Sequence, residues 1–139
     1  MHQNLEPEEI RRLLSEARTV AVVGLSDRPH RTSHAIARAL QGFGFRILPV
    51  NPNLDGPVLG EEPYSRVQEI PDGVDIVDVF RRGETVFPVA EDAVAAGAKV
   101  LWMQSGVVNE PAAAYAREHG LAVVMDRCIK MDYAYLVGR

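Results

Sequence analysis

The side chains best suited to chemistry stand close together in residues 24–33, and they are Ser26, Arg28, Arg31 and Ser33. Hydroxyl and guanidinium groups bond phosphate oxygens, and a guanidinium can do so through two parallel hydrogen bonds. An apolar run ends at Gly24 and a helical pattern begins at about residue 33. The loop between them lies at a helix N-terminus, where free amide groups and the helix dipole favour anions. The pattern predicts an anion site; the alternative is that the hydroxyls only cap the helix and the arginines are solvated.

The same loop departs from the glycine-rich pattern of dinucleotide sites. A G-x-G-x-x-G motif beginning at Gly24 needs small residues at positions 26 and 29, where the chain has Ser26 and Pro29. Dinucleotide enzymes also place an acid at the end of the second strand to hold the ribose hydroxyls. Here that strand is followed by Asn51-Pro52, which simple turn chemistry explains equally well. The sequence therefore favours a phosphate ligand and argues against NAD.

Further ligand-binding candidates follow the later strands. Phe80 and the adjacent Arg81 and Arg82 could stack on an adenine and pair with a phosphate, or could be core packing and a solvated loop. Gln104 could bond an amide-rich ligand arm or could satisfy loop backbone groups. Cys128 is the one cysteine, and we expect it to be a small, buried and inert side chain rather than a reactive thiol.

No convincing catalytic set accompanies these residues. The sequence offers no paired-carboxylate site, no nucleophile–histidine–acid arrangement and no cluster with metal-ligand spacing. Packing and hydrogen bonding explain Asp75 and Asp78 as well as acid–base chemistry would, and His30 and His34 are expected at the surface. We therefore predict that the protein is not an enzyme and has neither catalytic nor metal-binding residues.

Alternating strand and helix patterns predict the scaffold that positions these loops. Apolar runs predict strands at 19–24, 45–50, 74–80, 99–103 and 121–125, and helical patterns separate most of them. The expected fold is an α/β, Rossmann-like, doubly wound parallel sheet of about five strands in the order 3-2-1-4-5. The ligand crevice would then lie beyond the carboxyl ends of strands one and four. Residues 1–139 are predicted to form a single domain.

Composition narrows the class of protein. Apolar residues make up 47% and charged residues 24% of the 139 residues, as in ordinary globular domains. The formal net charge of −4 argues against a general nucleic-acid binder. No apolar run approaches the ~18 residues of a membrane span, and the first residues lack a signal-peptide pattern. We expect a cytoplasmic protein that contacts neither nucleic acid nor membrane.

Five short motifs, in order, resemble one family. They are Val23-Gly24-Leu25-Ser26-Asp27-Arg28, Leu48-Pro49-Val50-Asn51-Pro52, Val77-Asp78-Val79-Phe80-Arg81-Arg82, Trp102-Met103-Gln104-Ser105-Gly106 and Val124-Met125-Asp126-Arg127-Cys128. Together they resemble the small standalone CoA-binding proteins, which are similar to the CoA-binding N-terminal domain of the succinyl-CoA synthetase α subunit. The resemblance runs from about residue 19 to residue 130.

The resemblance implies a Rossmann-like domain that binds coenzyme A, with roles assigned by position. Gly24, Ser26, Arg28 and Ser33 would hold the phosphates. Val50, Asn51 and Pro52 would line the nucleotide end, with Phe80 and Arg81 on the next loop and Gln104 near the pantetheine arm. His30 stands where the family often has glycine, and this side chain would narrow the phosphate loop. The synthetase's phosphohistidine lies in a second domain that this chain lacks, so its ligase activity is not transferred.

The sequence thus predicts a non-catalytic protein that binds coenzyme A or an acyl-CoA, and an unidentified protein partner remains open. The alternative is an enzyme that uses the same crevice for a nicotinamide nucleotide, or a redox regulator based on Cys128.

Overall fold

The computed structural model describes residues 1–138, and five short apolar strands form its centre. They are β1 (Thr19–Val23), β2 (Arg46–Val50), β3 (Ile76–Val79), β4 (Val100–Met103) and β5 (Ala122–Val124). Every pairing in this sheet is parallel. The strands are almost wholly buried because helices cover both faces, which is why their sequences read as continuous apolar runs rather than alternating ones.

Five helices cover the sheet. They are α1 (Pro7–Glu16), α2 (Thr32–Gly42), α3 (Phe87–Ala95), α4 (Glu110–Glu118) and α5 (Ile129–Asp132), which continues as a π-helical turn (Tyr133–Val137). Successive strand residues point to opposite faces. Val20 and Val22 accordingly pack under α1, α2 and α5, whereas Ala21 and Val23 pack under α3 and α4.

The predicted fold class is confirmed, but the predicted strand order 3-2-1-4-5 is wrong. The observed order is β2-β1-β3-β4-β5, so β3 pairs with β1 and not with β2. Helix α2 carries the chain from β1 to β2 on one face. The connection from β2 to β3 holds only a 3₁₀ turn (Val67–Glu69), and that turn packs with α3 on the opposite face. A right-handed connection on the opposite face moves the chain back past β1.

This order moves the expected ligand crevice. The connection that leaves β1 runs through α2 on one face of the sheet, and the connection that leaves β3 runs through α3 on the other face. The topological switch point therefore lies between the neighbouring strands β1 and β3. The prediction that it lies between strands one and four is therefore wrong. The loops after β1 and β3 flank this point, and the loops after β2 and β4 lie next to them on either side.

Local signals set most helix starts. Pro7 and Pro88 lie in the first turns of α1 and α3, where a missing N–H costs nothing. Asn109 caps α4, because its Oδ1 accepts a hydrogen bond of 2.9 Å from the Ala112 amide. The segment after β5 forms α5 and its π-helical turn, which no sequence pattern predicted. No helix within residues 1–138 is long and apolar enough to cross a bilayer.

Candidate functional site

Two backbone hydrogen bonds and a close approach of Gly24 to Phe80 bring the loops after β1, β2 and β3 together. The Gly24 amide donates to the Val50 carbonyl at 2.8 Å, and the Phe80 amide donates to the Val23 carbonyl at 2.8 Å. Gly24 has a φ of +88°, and a Cβ added there would lie 2.3 Å from the Phe80 carbonyl oxygen. Only glycine allows the first loop to pass this close to the third. The predicted importance of Gly24 thus has a steric basis.

Side-chain hydrogen bonds to backbone groups hold the loop after β1 in place. The Ser33 hydroxyl accepts a hydrogen bond from the Ser26 amide at 3.0 Å, and the Ser26 hydroxyl accepts one from the Arg28 amide at 3.1 Å. The Asn51 side-chain amide reaches across from the second loop and donates to the Leu25 carbonyl at 3.1 Å. Ser33 is buried and serves the loop rather than the helix end, so the capping alternative is wrong for this residue.

The start of α2 is left without a side-chain cap. Its N-cap residue is Arg31, whose side chain makes no capping hydrogen bond. An α-helix leaves its first amide groups without intrahelical partners, and those of α2 open towards the loop. The positive end of the helix dipole reinforces them as anion ligands.

A cavity of about 560 Å³, termed here the loop cavity, lies over this helix start. Its lining residues are Gly24, Ser26, Asp27, His30, Arg31, Thr32, Ser33, Asn51, Asn53, Leu54 and Phe80. Six predicted site residues line it: Gly24, Ser26, Arg31, Ser33, Asn51 and Phe80. Arg28 is exposed and does not line it, and His30 stands in its wall, as its departure from the family pattern implies.

A second cavity of about 520 Å³, the arm cavity, adjoins the first and shares Thr32 and Phe80 with it. Its other lining residues are Ile36, Arg81, Arg82, Gln104, Ser105, Val107 and Cys128. Gln104 is only 4% exposed, and its side-chain oxygen accepts a hydrogen bond from the Ile129 amide at 3.0 Å. Its amide NH₂ makes no hydrogen bond to any residue within 1–138, so it keeps two donors for a ligand.

A third cavity of about 320 Å³, the base cavity, lies at the carboxyl ends of β1 and β2 on the face that α3 covers. Its lining residues are Val23, Val50, Pro52, Ser65, Arg66, Val67, Arg81, Thr85, Pro88, Val89 and Asp92. Val50, Pro52 and Arg81 were predicted site residues. Arg66 and Asp92 were not, because they are 26 residues apart and only the tertiary fold joins them.

The arginines around the crevice differ in whether they are paired with an acidic side chain. Arg31 and Arg81 line cavities and form no ion pair with any residue the structure describes, so their charge is available to an anion. Arg82 lies 3.6 Å from a carboxylate oxygen of Glu84. Arg127 donates two hydrogen bonds of 2.7 Å to Asp132, so its charge is already paired. Cys128 itself is half-buried rather than buried, contrary to expectation.

Two ionisable side chains, Asp78 and His34, are buried near the crevice but line none of the three cavities, unlike the buried Asp92 of the base cavity. Asp78 is completely buried in β3, and neither carboxylate oxygen has a hydrogen-bond partner within residues 1–138. Burial raises the pKa of this carboxyl well above its usual value. Hydrogen bonding therefore does not explain Asp78, although it does explain Asp75, which accepts from the Arg18 and Thr19 amides. His34 was expected at the surface, but it is buried with an unpartnered Nδ1.

Comparisons with known proteins place this geometry in context. A family model described as a CoA binding domain matches residues 18–134. The uncharacterized protein YneT of Bacillus subtilis is 46% identical over 132 residues, which cover 95% of this chain and 97% of that protein.

Solved structures are also similar. A hypothetical protein from Pyrococcus horikoshii superimposes with a TM-score of 0.92 at 34% identity, covering 99% of this chain and 100% of that one. The cell-free ID.343 structure from Thermus thermophilus gives a TM-score of 0.90 at 34% identity, covering 95% and 99%. A dinucleotide-forming acetyl-coenzyme A synthetase from Ca. Korarchaeum cryptofilum gives 0.70 at 25% identity, covering 84% of this chain and 27% of the synthetase.

Proposed function

The chain belongs to the CoA-binding domain family, and we propose that it binds coenzyme A or an acyl-CoA across the carboxyl ends of β1, β2 and β3 without catalysing a reaction. One observation carries the proposal: the family match spans the loop cavity, where an uncapped helix start and an unpaired Arg31 converge. Both features favour a phosphate group.

The loop cavity suits the pyrophosphate. The amide groups at the start of α2 supply hydrogen-bond donors, and Arg31 supplies a charge free of ion pairs. The Ser26 hydroxyl accepts one hydrogen bond from the Arg28 amide, so its own proton is free to be donated to a phosphate oxygen. The overall charge of −4 does not oppose this, because the cations that matter are local.

The two other cavities suit the remaining parts of the ligand. The base cavity, with Val50 and Pro52 in its wall, offers apolar surface for the adenine at the nucleotide end. The arm cavity adjoins the loop cavity through Phe80, and the free amide NH₂ of Gln104 matches the carbonyl groups of a pantetheine arm. Arg81 lines both of these cavities, where it can neutralise a further phosphate.

The second loop supports coenzyme A over NAD. Asn51 stands where a dinucleotide enzyme places its ribose-binding acid, and both ends of its side chain are used within the protein. Its amide nitrogen donates to the Leu25 carbonyl at 3.1 Å, and its oxygen accepts from the Asn53 amide at 3.0 Å. Asn51 thus holds the loops together and presents no carboxylate to a ribose.

Asp78 and His34, the buried ionisable groups with unpartnered atoms, are placed in a way that supports a binding role rather than catalysis. The buried Asp92 does line the base cavity, but it is paired with Arg66. Asp78 and His34 line none of the three cavities, and their unpartnered atoms make no hydrogen bond to each other. A general acid or base has to come within hydrogen-bond reach of its substrate, directly or through one water.

Native mass spectrometry tests the proposal. The purified protein, incubated with coenzyme A, should show a mass increase of one coenzyme A per chain. Arg31→Glu should abolish this complex because it reverses the charge within the loop cavity. Arg38→Glu makes the same change on the exposed side of α2, outside that cavity, and should keep the complex. Absence of a complex with the unaltered protein, or equal loss in both variants, would contradict the proposal.

A further inference from the structure

The base cavity holds an ion pair whose geometry goes beyond phosphate binding. Arg66 donates to Asp92 through two hydrogen bonds, from Nη2 to Oδ1 at 2.7 Å and from Nε to Oδ2 at 3.1 Å. Such a forked pair fixes the plane of the carboxylate. Each carboxylate oxygen has two lone pairs, so each keeps one acceptor position after the pair has formed.

The fold fixes both partners of this ion pair. Tyr64 forms a parallel bridge with Val50 at the open edge of β2, where it donates to the Pro49 carbonyl and accepts from the Asn51 amide, both at 2.9 Å. Arg66 follows two residues after Tyr64, and its backbone amide donates a hydrogen bond to the Glu69 carboxylate at 3.2 Å. The arginine is therefore carried to the carboxyl end of the sheet by an anchored backbone.

Asp92 sits in the second turn of α3 and faces the cavity from the other side. Its side chain is only 12% exposed, so a ligand that enters the cavity meets a nearly dry carboxylate. The remaining walls are mostly apolar, with Val23, Val50, Val67 and Val89 among them. A flat aromatic ring that carries a hydrogen-bond donor on one edge satisfies both features, because it packs against the apolar walls and pairs with the carboxylate.

We propose that Asp92, held in place by Arg66, is the specificity-determining residue for the nucleotide base, and that it accepts a hydrogen bond from the exocyclic amino group of adenine. This inference rests on the proposed binding of coenzyme A. The base cavity adjoins the loop cavity, because Val23 lines the first and the next residue, Gly24, lines the second. A ligand whose phosphates occupy the loop cavity can therefore place its base in the base cavity.

The proposal specifies that hypoxanthine binds less well than adenine. Hypoxanthine carries a carbonyl oxygen where adenine carries its amino group. In the pose that places the amino group on Asp92, that oxygen would face the carboxylate, and two acceptors cannot share a hydrogen bond. The N1–H donor of hypoxanthine would reach the carboxylate only if the base shifted within the cavity. A buried site that is built to pair with a donor discriminates strongly against an analogue that lacks the donor.

The experiment compares coenzyme A with its deaminated analogue, in which hypoxanthine replaces adenine, by calorimetry. The unaltered protein should bind coenzyme A at least about tenfold more tightly than the analogue. Asp92→Asn should lose most of this preference, because the carboxamide NH₂ can donate to the hypoxanthine oxygen. Glu91→Gln removes the same charge from the neighbouring exposed position, which does not line the cavity, and should keep the full preference.

The outcomes separate the two proposals. If the unaltered protein binds neither ligand, the proposed function fails and this inference falls with it. If it binds both ligands equally well, coenzyme A binding stands and base selection by Asp92 is wrong. If Asp92→Asn keeps the full preference, another group selects the base. Binding of the deaminated analogue by Asp92→Asn would show that the variant is folded and that the loss of preference is specific.

Discussion

Replacing Asp78 by asparagine should change how the stability of this protein depends on pH. Asp78 lies in the middle strand of the sheet, in register with Val22 of β1 and Trp102 of β4, and is completely buried. Both oxygens lack hydrogen-bond partners within residues 1–138, and burial raises the pKa of the carboxyl well above its ordinary value of 3.8. The folded protein therefore keeps a proton on Asp78 that the unfolded chain releases.

The sign and size of the effect follow from this difference. Because the pKa is raised in the folded state, the contribution of Asp78 to stability is fully present below the unfolded pKa of about 3.8. It is lost as the pH rises towards the folded pKa. One proton is involved, so the free energy of unfolding falls by about 1.4 kcal/mol for each pH unit in that window. Asparagine has nearly the same volume and no proton to lose, so Asp78→Asn lacks this decline.

Urea unfolding, followed by the fluorescence of the buried Trp102, measures the effect as the pH is raised from about 4.5 towards the folded pKa of Asp78. The free energy of unfolding of Asp78→Asn minus that of the unaltered protein should rise by about 1.4 kcal/mol per pH unit. The other titrating groups are present in both proteins and largely cancel in the difference. A difference that stays flat over this range would refute the reasoning.

Asp75 provides a control of opposite sign. Burial acts to raise the pKa of this carboxyl, but hydrogen bonds from the Arg18 and Thr19 amides and the nearby Lys99 charge outweigh it, and the pKa is lowered. Its contribution to stability is present above its unfolded pKa and is lost as the pH falls through the folded value. Asp75→Asn should therefore be less stable than the unaltered protein at neutral pH, and this deficit should shrink in acid.

Three further predictions concern the crevice. Gly24→Ala should lower both the stability and the coenzyme A affinity, because its Cβ would lie 2.3 Å from the Phe80 carbonyl oxygen. The control Gly42→Ala, which has nothing within 4 Å of the added Cβ, should lower neither. Urea unfolding measures the stability and calorimetry measures the affinity. Arg31→Ala should weaken coenzyme A binding by about ten- to a hundredfold, and Arg28→Ala by less, since Arg28 does not line the loop cavity; an equal loss would contradict this. Cys128→Ser should leave the affinity nearly unchanged, and the native thiol should react with a thiol reagent more slowly than the unfolded chain; rapid labelling of the native protein would favour a redox role.

The strands and the loop after β1 were predictable because their signals are local. The apolar run before Gly24 and the helical pattern after it define a strand–loop–helix unit without any tertiary information. The hydrogen bond from the Ser26 amide to Ser33 falls within this unit. The steric need for glycine at position 24 does not, because it comes from the Phe80 carbonyl of the third loop.

The strand order was not predictable in this way, because a single strand carries no mark of its neighbour. The predicted order places β3 beside β2, but the connection between them crosses the opposite face and brings β3 beside β1. The burial of His34 and the pairing of Arg66 with Asp92 escaped prediction for the same reason, since both depend on contacts between distant segments.

The most direct test of the central claim is a calorimetric comparison of coenzyme A, NAD and NADP as ligands of the unaltered protein, freed beforehand of any bound nucleotide. The uncapped start of α2, the unpaired Arg31 and the absence of a carboxylate at Asn51 predict that coenzyme A binds one to one and more tightly than either nicotinamide nucleotide. Tighter binding of NAD or NADP than of coenzyme A would contradict the account.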